Sequence, residues 1–305
     1  MAERVIINDV GPRDGLQNQA VILDLEQRRA LINALVDAGL THIEIGSFVS
    51  PKAVPAMAGT GELAAHLPKQ SKSGEPFQFS ALIPNQKGYE LAMAAGVRDV
   101  SMVVAASNTM NQRNINLSTD QAMTVSKAVF EQGREQGANT LAYIATAWEC
   151  PYEGLVDESV VIRLAGELFE AGASEIILAD TIGAACPGQV SSLLKKLAAE
   201  YDLSKFSCHF HDTRGMGVAD VFAALEMGIR KFDASIGGLG GCPFAPGATG
   251  NVATEDVVLM LHQMGFDTGI DMRGLLAAVD LASSYVGREL GGNSINWIRR
   301  NIDKL

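Results

Sequence analysis

The stretch Gly172-Ala173-Ser174-Glu175-Ile176-Ile177-Leu178-Ala179 places a glycine at the end of an apolar-periodic segment and a short β-rich run directly after it. This order is typical of a helix that ends at a glycine C-cap and leads into a strand. The same arrangement recurs along the chain, with Gly39 before 42–45, Gly96 before 99–104, Gly137 before 139–144 and Gly228 before 231–236. The sequence therefore predicts five helix-to-strand junctions.

Three further β-rich runs, at residues 5–10, 77–83 and 206–211, bring the number of candidate strands to eight, each separated from the next by room for a helix. Eight βα units predict a closed α/β barrel of the (β/α)8 or TIM type. The alternative, an open doubly wound sheet, would need Gly-x-Gly-x-x-Gly directly after the first strand, where this chain has Gly11-Pro12-Arg13-Asp14-Gly15. We therefore expect one barrel domain at 1–271, with a C-terminal helical extension at 272–305 packed on it.

Two helix starts are marked by local signals. Ser118-Thr119-Asp120-Gln121 matches a capping box before a helix over 122–136, and Asp24 precedes apolar residues at helical spacing. These positions are expected to serve the core and not the chemistry.

Composition and charge exclude several classes of protein. Lys plus Arg number 24 against 35 Asp plus Glu, and the formal net charge of -11 would repel a nucleic-acid backbone. The N-terminus has no signal-peptide core, and no apolar window is long enough to cross a bilayer, so we expect no membrane partner. The four cysteines have no Cys-x-x-Cys spacing, which favours a reducing, cytoplasmic setting.

Polar residues collect where the predicted strands end, which is where a parallel barrel places its reacting groups. These residues are Arg13, Asp14 and Gln17 after strand one, Glu44 in strand two, Asp180 at the end of strand six, His209 and His211 in strand seven, and the loop 237–251 after strand eight.

The His209-x-His211 pair is the most informative of these features. Side chains at i and i+2 of a strand share one face and can bind one metal together, although the pair could also be purely structural. Asp14, whose alternative role is an ordinary Asp-Gly turn, would complete a facial set, and Asn251 could add an amide oxygen. Mixed nitrogen and oxygen ligands suit Mg²⁺ or Mn²⁺.

Two charged residues beside this set suggest catalysis. The guanidinium of Arg13 is suited to stabilising an oxyanion that forms during a reaction. Glu44 lies in an otherwise apolar strand, where a buried carboxylate needs a partner, and Arg13 could be that partner.

The loop over 237–250 holds six glycines, Gly237, Gly238, Gly240, Gly241, Gly247 and Gly250, around one thiol, Cys242. Such a glycine density permits close backbone approach and lid movement. A cysteine is ordinarily a small packed residue, but this setting favours an exposed, reactive Cys242.

These residues resemble the 3-hydroxy-3-methylglutaryl-CoA lyase family of the metal-dependent lyase and Claisen-synthase barrels, over nearly the whole chain. The motifs that carry the resemblance are Val10-Gly11-Pro12-Arg13-Asp14-Gly15-Leu16-Gln17-Asn18, Ser47-Phe48-Val49-Ser50-Pro51-Lys52, Asp180-Thr181-Ile182-Gly183, His209-Phe210-His211-Asp212-Thr213 and Gly238-Leu239-Gly240-Gly241-Cys242-Pro243. The glycine loop with its cysteine is what resembles the lyase branch.

The resemblance implies that 3-hydroxy-3-methylglutaryl-CoA is cleaved in retro-Claisen fashion to acetyl-CoA and acetoacetate with a divalent cation, Mg²⁺ or Mn²⁺. It implies metal ligation by Asp14, His209, His211 and Asn251, and substrate binding by Gln17 and Ser47. It further implies that Arg13 stabilises the enolate, Cys242 protonates it, His209 shuttles a proton, Glu44 orients Arg13 or the metal site, and Asp180 positions substrate or proton. A homo-oligomer, dimer or larger, is also expected.

Three segments differ from the family pattern and leave the acyl group open. They are Ala147-Trp148-Glu149, Met110-Asn111-Gln112-Arg113 and the tail Gly291-Gly292-Asn293-Ser294-Ile295-Asn296-Trp297. The alternatives are the same chemistry on citramalyl-CoA or a longer-branched hydroxyglutaryl-CoA. A metal-dependent amidohydrolase is disfavoured because that class usually carries the His-x-His pair on the first strand, and a Claisen synthase because the chain has no room for a regulatory domain.

Overall fold

Eight parallel strands alternate with helices along the chain and close into a barrel, in a computed structural model that describes residues 2–71, 74, 76–241 and 250–305. We number the barrel strands β1 to β8. They are Ile6–Asp9 (β1), His42–Ser47 (β2), Gln78–Leu82 (β3), Asp99–Ala105 (β4), Asn139–Ala145 (β5), Glu175–Asp180 (β6), Phe206–Phe210 (β7) and Lys231–Ala234 (β8). Each overlaps one of the eight predicted runs, so the predicted barrel is confirmed.

The strands follow one another around the barrel in chain order, and β8 closes it by pairing in parallel with β1. In this closing pair Ile6 lies opposite Lys231. A short antiparallel hairpin, Glu149–Cys150 with Gly154–Leu155, stands apart from the barrel. Because all eight barrel strands are parallel, their carboxyl ends meet at one mouth, where the polar residues of the sequence analysis are brought together.

The helices pack outside the barrel. They are Leu25–Asp37 (α1), Thr60–Ala65 (α2), Gln86–Ala94 (α3), Asn108–Ile115 (α4), Thr119–Glu135 (α5), Glu158–Ala171 (α6), Pro187–Ala198 (α7), Gly217–Glu226 (α8), Thr254–Gln263 (α9), Met272–Val286 (α10) and Ile295–Asn301 (α11). Four 3₁₀ turns cover Pro55–Met57, Leu203–Lys205, Ile236–Gly238 and Ile302–Lys304, and Gly11–Gly15 forms a π-helical turn. Among the described residues, no helix is both long and apolar enough to span a membrane.

The five glycines that predicted the helix-to-strand junctions all have left-handed backbones. Their φ angles are 100° at Gly39, 79° at Gly96, 68° at Gly137, 112° at Gly172 and 103° at Gly228. Only glycine adopts this region without a steric cost, and it allows the chain to turn sharply from helix to strand. The predicted junctions are therefore confirmed by their backbone geometry.

Both predicted helix starts are also present. The Ser118 hydroxyl accepts a hydrogen bond from the backbone N–H of Gln121, whose side chain in turn accepts from the N–H of Ser118, at the start of α5. Asp24 forms the same reciprocal capping box with Gln27 before α1. Each box satisfies two backbone donors that the first helical turn leaves free.

The C-terminal region contains the expected helices. One face of α10 is buried, with Leu275, Val279 and Ala282 fully or nearly fully inaccessible to solvent, and this helix packs against α1 and α9. In α11, Ile298 is also fully buried. The C-terminal helical extension is thus present, while its division from the barrel at residue 272 stays a prediction.

Candidate active site

The turn after β1 presents Arg13 and Asp14 at the barrel mouth. Asp9, the last residue of β1, accepts a hydrogen bond from the backbone N–H of Gly11 at 2.9 Å and another from the Thr254 hydroxyl at 2.7 Å. A Cβ on Gly11 would lie 2.8 Å from both the Asp9 carboxylate and Ile236, so the turn fits closely against the start of the β8 loop. This close fit fixes the positions of Arg13 and Asp14, which lie in the same turn.

Arg13 bridges two carboxylates in the barrel interior. Its Nε donates to Glu44 Oε2 at 2.6 Å, and one terminal nitrogen donates to Asp14 Oδ1 at 2.7 Å. Glu44 is fully buried and also accepts from the Ser101 hydroxyl at 3.2 Å. Burial raises the pKa of Glu44 to about 7 against the opposing charge of Arg13. The contact between Arg13 and Glu44 that the sequence suggested is present.

His209 and His211 project from the end of β7 toward Asp14. The two imidazole rings have centroids 5.1 Å apart, and both residues are buried. One ligand atom from each of Asp14, His209 and His211 lies within 4.8 Å of the others, so these three residues could hold one metal ion. The strand parity that predicted a shared face for the two histidines is reproduced.

Two polar atoms at this cluster fit a metal site. His211 Nδ1 and Asn251 Oδ1 are buried and have no hydrogen-bond partner among the described residues. Leaving such atoms unpaired costs free energy that a bound cation would offset. The Asn251 amide nitrogen donates to Asp14 Oδ2 at 2.8 Å and to the Leu239 carbonyl at 3.0 Å, which holds its oxygen in place. The donor set therefore fits a small divalent cation.

The protonation states also suit metal binding. Burial would raise the pKa of Asp14, but the charges of Arg13 and of both histidines outweigh it and lower the pKa to about 2. Burial, with the charge of His209, lowers the pKa of His211 to about 4. Burial also opposes protonation of His209, yet its hydrogen bond to Asp233 and the nearby carboxylates raise its pKa. The cluster thus offers an ionised carboxylate and a neutral His211 at neutral pH.

Asp180 lies at the end of β6 but has its carboxylate turned to its own loop. Its two oxygens accept hydrogen bonds from the backbone N–H groups of Ala184 at 2.9 Å and Ala185 at 3.0 Å. Arg214 holds the same loop through the carbonyls of Gly183 and Ala185. Asp180 therefore orders the loop after β6 in this structure, and a direct role toward substrate stays a prediction.

The two predicted substrate-binding residues lie at the mouth in different settings. Gln17 donates to Asp14 Oδ1 at 3.4 Å, a long contact that a ligand could replace. Ser47, at the end of β2, is buried, and its hydroxyl has no partner within the described part of the chain. Both positions are compatible with substrate binding, which stays a prediction.

Cys242 lies outside the described residues, but both described ends of its loop adjoin the cluster. A Cβ on Gly240 would lie 2.6 Å from the amide nitrogen of Asn251, and one on Gly250 would lie 2.2 Å from the Gly238 carbonyl. Such close approaches require glycine, which accounts for part of the glycine density.

Asp233 of β8 is a site residue that the sequence analysis missed. It lies opposite His209 in the pairing of β7 with β8 and is almost fully buried. Its carboxylate accepts from the Tyr143 hydroxyl at 2.7 Å and from Asn8 Nδ2 at 2.7 Å, and lies 3.1 Å from His209 Nδ1. Lys231 and Asp233, two polar residues at strand spacing, were a signal that β8 has a polar inner face.

Residues 4–282 match the family described as HMGL-like. The chain belongs to this family. HMGL-like membership agrees with the barrel and with the composition of the cluster at its mouth.

Similar proteins from three organisms show the same relationship over nearly their full lengths. The hydroxymethylglutaryl-CoA lyase of Bacillus subtilis is 42% identical over 96% of this chain and 97% of its own. A crystal structure of the Bacillus subtilis HMG-CoA lyase superposes with a TM-score of 0.92 and covers 97% of this chain and 98% of that one. An (R)-citramalyl-CoA lyase of Chloroflexus aurantiacus is 43% identical over 94% of this chain and 93% of its own. An HMG-CoA lyase structure from Acinetobacter baumannii, in complex with coenzyme A and 3-methylmalate, is 35% identical, with a TM-score of 0.90 over 96% of this chain and 94% of that one.

Two of the segments that differ from the family pattern make ring contacts in the structure. Trp148 is buried with its ring 5.5 Å from Phe210, in the core outside the barrel. The Arg113 guanidinium lies 5.5 Å above the ring of Tyr152, at the tip of the hairpin. Trp148 therefore packs on Phe210, the β7 residue between His209 and His211.

Proposed function

We propose that this protein is a metal-dependent carbon–carbon lyase that cleaves 3-hydroxy-3-methylglutaryl-CoA to acetyl-CoA and acetoacetate. The observation that carries the proposal is the cluster of Asp14 with the buried His209 and His211, with unpaired polar atoms on His211 and Asn251 and with Arg13 alongside, in a chain of the HMGL-like family. An open metal site next to a held guanidinium matches a reaction that develops negative charge on a substrate oxygen.

We assign Asp14, His209, His211 and Asn251 as the metal ligands and Mg²⁺ or Mn²⁺ as the cation. A carboxylate, an amide oxygen and imidazole nitrogens form the mixed ligand set that these cations accept. When bound, the cation supplies positive charge that polarises substrate oxygens.

The reaction requires one proton to leave the substrate and one to return. The tertiary hydroxyl loses its proton to a base, its oxygen forms the ketone of acetoacetate, and the C2–C3 bond breaks. The bond's electron pair passes into the thioester as an enolate, and protonation of the enolate carbon gives acetyl-CoA. We assign the proton shuttle to His209, which lies buried in the cluster.

Arg13 is suited to stabilise the enolate oxygen. Glu44 and Asp14 occupy its Nε and one terminal nitrogen, so the second terminal nitrogen is the group available to a substrate. Because both carboxylates already fix the guanidinium, little reorganisation is needed when negative charge develops. Glu44 then acts by orienting Arg13.

The remaining assignments follow the family resemblance. Cys242 donates the proton to the enolate carbon, and the loop that carries it begins and ends beside Asn251. Gln17 and Ser47 contact substrate, and Asp180 positions substrate or proton through the order of its loop.

A second substrate, citramalyl-CoA, is favoured by the similarity to the Chloroflexus aurantiacus lyase. The identity to that enzyme, 43%, is similar to the 42% identity to the Bacillus subtilis lyase. The cluster at the mouth specifies the bond that breaks and says little about the rest of the acyl group.

A panel of hydroxyacyl-CoA thioesters tests the function. Release of acetyl-CoA would be measured for 3-hydroxy-3-methylglutaryl-CoA, citramalyl-CoA and a longer-branched hydroxyglutaryl-CoA, with Mg²⁺ or Mn²⁺ and with a chelator. We expect the first to be turned over best and the chelator to abolish turnover. Turnover of citramalyl-CoA alone would change the substrate, and no turnover of any member would refute the lyase.

Cysteine chemistry supports a cytoplasmic location. Cys150, Cys186 and Cys208 are free thiols, and a reducing compartment would also keep the proposed donor Cys242 reduced. The expected homo-oligomer stays a prediction.

A further inference from the structure

Asp233 contacts Nδ1 of His209, and its carboxylate is held by side chains from three other strands. Its Oδ1 accepts from Asn8 of β1, and its Oδ2 accepts from Tyr143 of β5 and faces Nδ1 of His209 at 3.1 Å. Asp233 is 2% exposed, so water does not compete for these contacts.

The contacts restrict where His209 can carry its proton. An ionised carboxylate only accepts hydrogen bonds, and the hydroxyl and amide around it already donate to both of its oxygens. A neutral His209 that bonds to this carboxylate must therefore place its hydrogen on Nδ1, which leaves the lone pair on Nε2. The Tyr143 ring, edge-on to the imidazole with centroids 6.0 Å apart, further limits rotation of His209.

We propose that Asp233 is a positioning residue that fixes the tautomer and ring orientation of His209, so that Nε2 stays available to a divalent cation or to the substrate. The inference rests on the proposed function, in which His209 is a metal ligand and proton shuttle. Carboxylates that hold a ligating histidine in this way commonly change metal affinity by about 10- to 100-fold when they are removed.

The test compares Asp233→Asn with a matched variant, Asp99→Asn. The asparagine at 233 offers an N–H₂ group toward His209 and so favours the opposite tautomer. Asp99 also lies in the barrel interior, but its carboxylate accepts from Asn139 at 2.7 Å instead of facing His209. Both variants thus exchange a barrel carboxylate for an amide, and only one of them changes the partner of His209.

Three measurements are made on the full-length protein. Imidazole ¹⁵N shifts of the metal-free protein at alkaline pH, assigned with a His209→Gln variant, report the tautomer. Mn²⁺ titration reports affinity, and steady-state kinetics separate kcat from KM. We expect Nδ1–H in the wild type and in Asp99→Asn, and in Asp233→Asn a shift toward Nε2–H, about 10- to 100-fold weaker Mn²⁺ binding and a lower kcat.

Two outcomes would overturn the inference. One is an Nε2–H tautomer in the wild type, which needs no variant and decides the matter even if Asp233→Asn does not fold. The other is a folded Asp233→Asn with the wild-type tautomer and Mn²⁺ affinity. Absence of Mn²⁺ binding by the wild type would instead refute the proposed metal site, while the ¹⁵N shifts would still report on Asp233.

Discussion

At the scale of single residues, the role of Arg13 depends on its two simultaneous carboxylate partners. Lysine has one compact ammonium group and cannot reproduce the fork that reaches both Glu44 and Asp14. We expect Arg13→Lys to lower kcat by about 100-fold or more, with a smaller change in KM, because the lost interaction belongs to the developing enolate.

The control for this substitution is Arg4→Lys. Arg4 pairs with Asp267 in an exposed contact, where exchange of the cation changes little. Steady-state kinetics on the preferred thioester compare the two variants. An Arg13→Lys enzyme with unchanged kcat would remove Arg13 from the proposed chemistry.

The assignment of Cys242 makes a separate prediction. If its thiol protonates the enolate, Cys242→Ala should lower acetyl-CoA release by about 100- to 10,000-fold, the usual contribution of a general acid. Cys186→Ala is the comparison, since Cys186 is a free and partly exposed thiol outside the glycine loop. Equal activities of the two variants would show that the glycine loop does not supply the proton.

Asp220 in α8 predicts a pH-dependent stability. Both of its carboxylate oxygens are buried and unpaired within the described residues. Burial and the charge of Asp180 raise its pKa from 3.8 to about 7, with Arg214 opposing the shift and Asp212 adding to it. Between these values the folded protein keeps a proton that the unfolded chain has released, so this group lowers stability as pH rises.

Asp220→Asn removes that titration. We expect the melting temperature of the variant to exceed that of the wild type by an amount that grows as pH rises from about 4 to about 7 and then stays constant. The exposed Asp37→Asn is the control and should show no such trend. Thermal melts across this pH interval give the measurement, and a constant difference between Asp220→Asn and wild type would contradict the assignment.

The extent to which the site could be predicted differs between residues. Strand parity was sufficient to place His209 and His211 on one face, and the cost of burying Glu44 pointed to Arg13. Asp233 could not be found in this way, because its meeting with His209 depends on the register of β7 against β8, which side-chain alternation within one strand does not determine.

At the scale of the elements, the five junction glycines should contribute unequally to stability. At Gly137, φ is 68° and no atom lies within 4 Å of an added Cβ, so an alanine there meets only backbone strain. We expect Gly137→Ala to lower the free energy of unfolding by about 1–2 kcal/mol. Chemical denaturation monitored by circular dichroism measures the change.

Gly188→Ala provides the matched substitution for Gly137→Ala. Gly188 lies in α7, is exposed, and also has open space around an added Cβ. Alanine favours a helix over glycine, so this variant should be neutral or more stable by up to about 1 kcal/mol. A destabilised Gly188→Ala with an unaffected Gly137→Ala would reverse the backbone argument.

The sequence did not predict two short elements, which are anchored by contacts distant in the chain. The hairpin Glu149–Cys150 with Gly154–Leu155 has only two residues per strand, too few for a periodic pattern. Glu153 at its tip accepts from the backbone N–H of Thr109 at 2.7 Å and so anchors the hairpin to α4. In the same way, the π-helical turn Gly11–Gly15 depends on Thr254 through Asp9.

At the scale of the whole molecule, the C-terminal tail contacts the loops at the barrel mouth. Asp256 of α9 accepts from the backbone N–H groups of Asn293 and Ser294, and the Asn293 side chain donates to Asp212, next to His211. Glu255 accepts from the N–H groups of Gly237 and Gly292 and so links the tail to the start of the glycine loop. These long-range contacts explain why the tail could not be interpreted from its own sequence.

The proposed cation should stabilise the whole fold, because its ligands come from strands at opposite ends of the chain. Asp14 follows β1, His209 and His211 lie in and after β7, and Asn251 follows β8, so all four come together only in the folded state. A ligand that binds only the folded protein stabilises it by about 2.7 kcal/mol at a concentration 100 times its dissociation constant. We expect Mn²⁺ to raise the melting temperature and EDTA to reverse the increase.

In Asp14→Asn the anionic ligand is lost, and the variant's starting stability also changes because the ion pair with Arg13 is broken. The increment caused by Mn²⁺ is therefore the quantity to compare, and it should nearly disappear in this variant while remaining in Asp99→Asn. An equal increment in Asp14→Asn and wild type would place the cation elsewhere on the molecule.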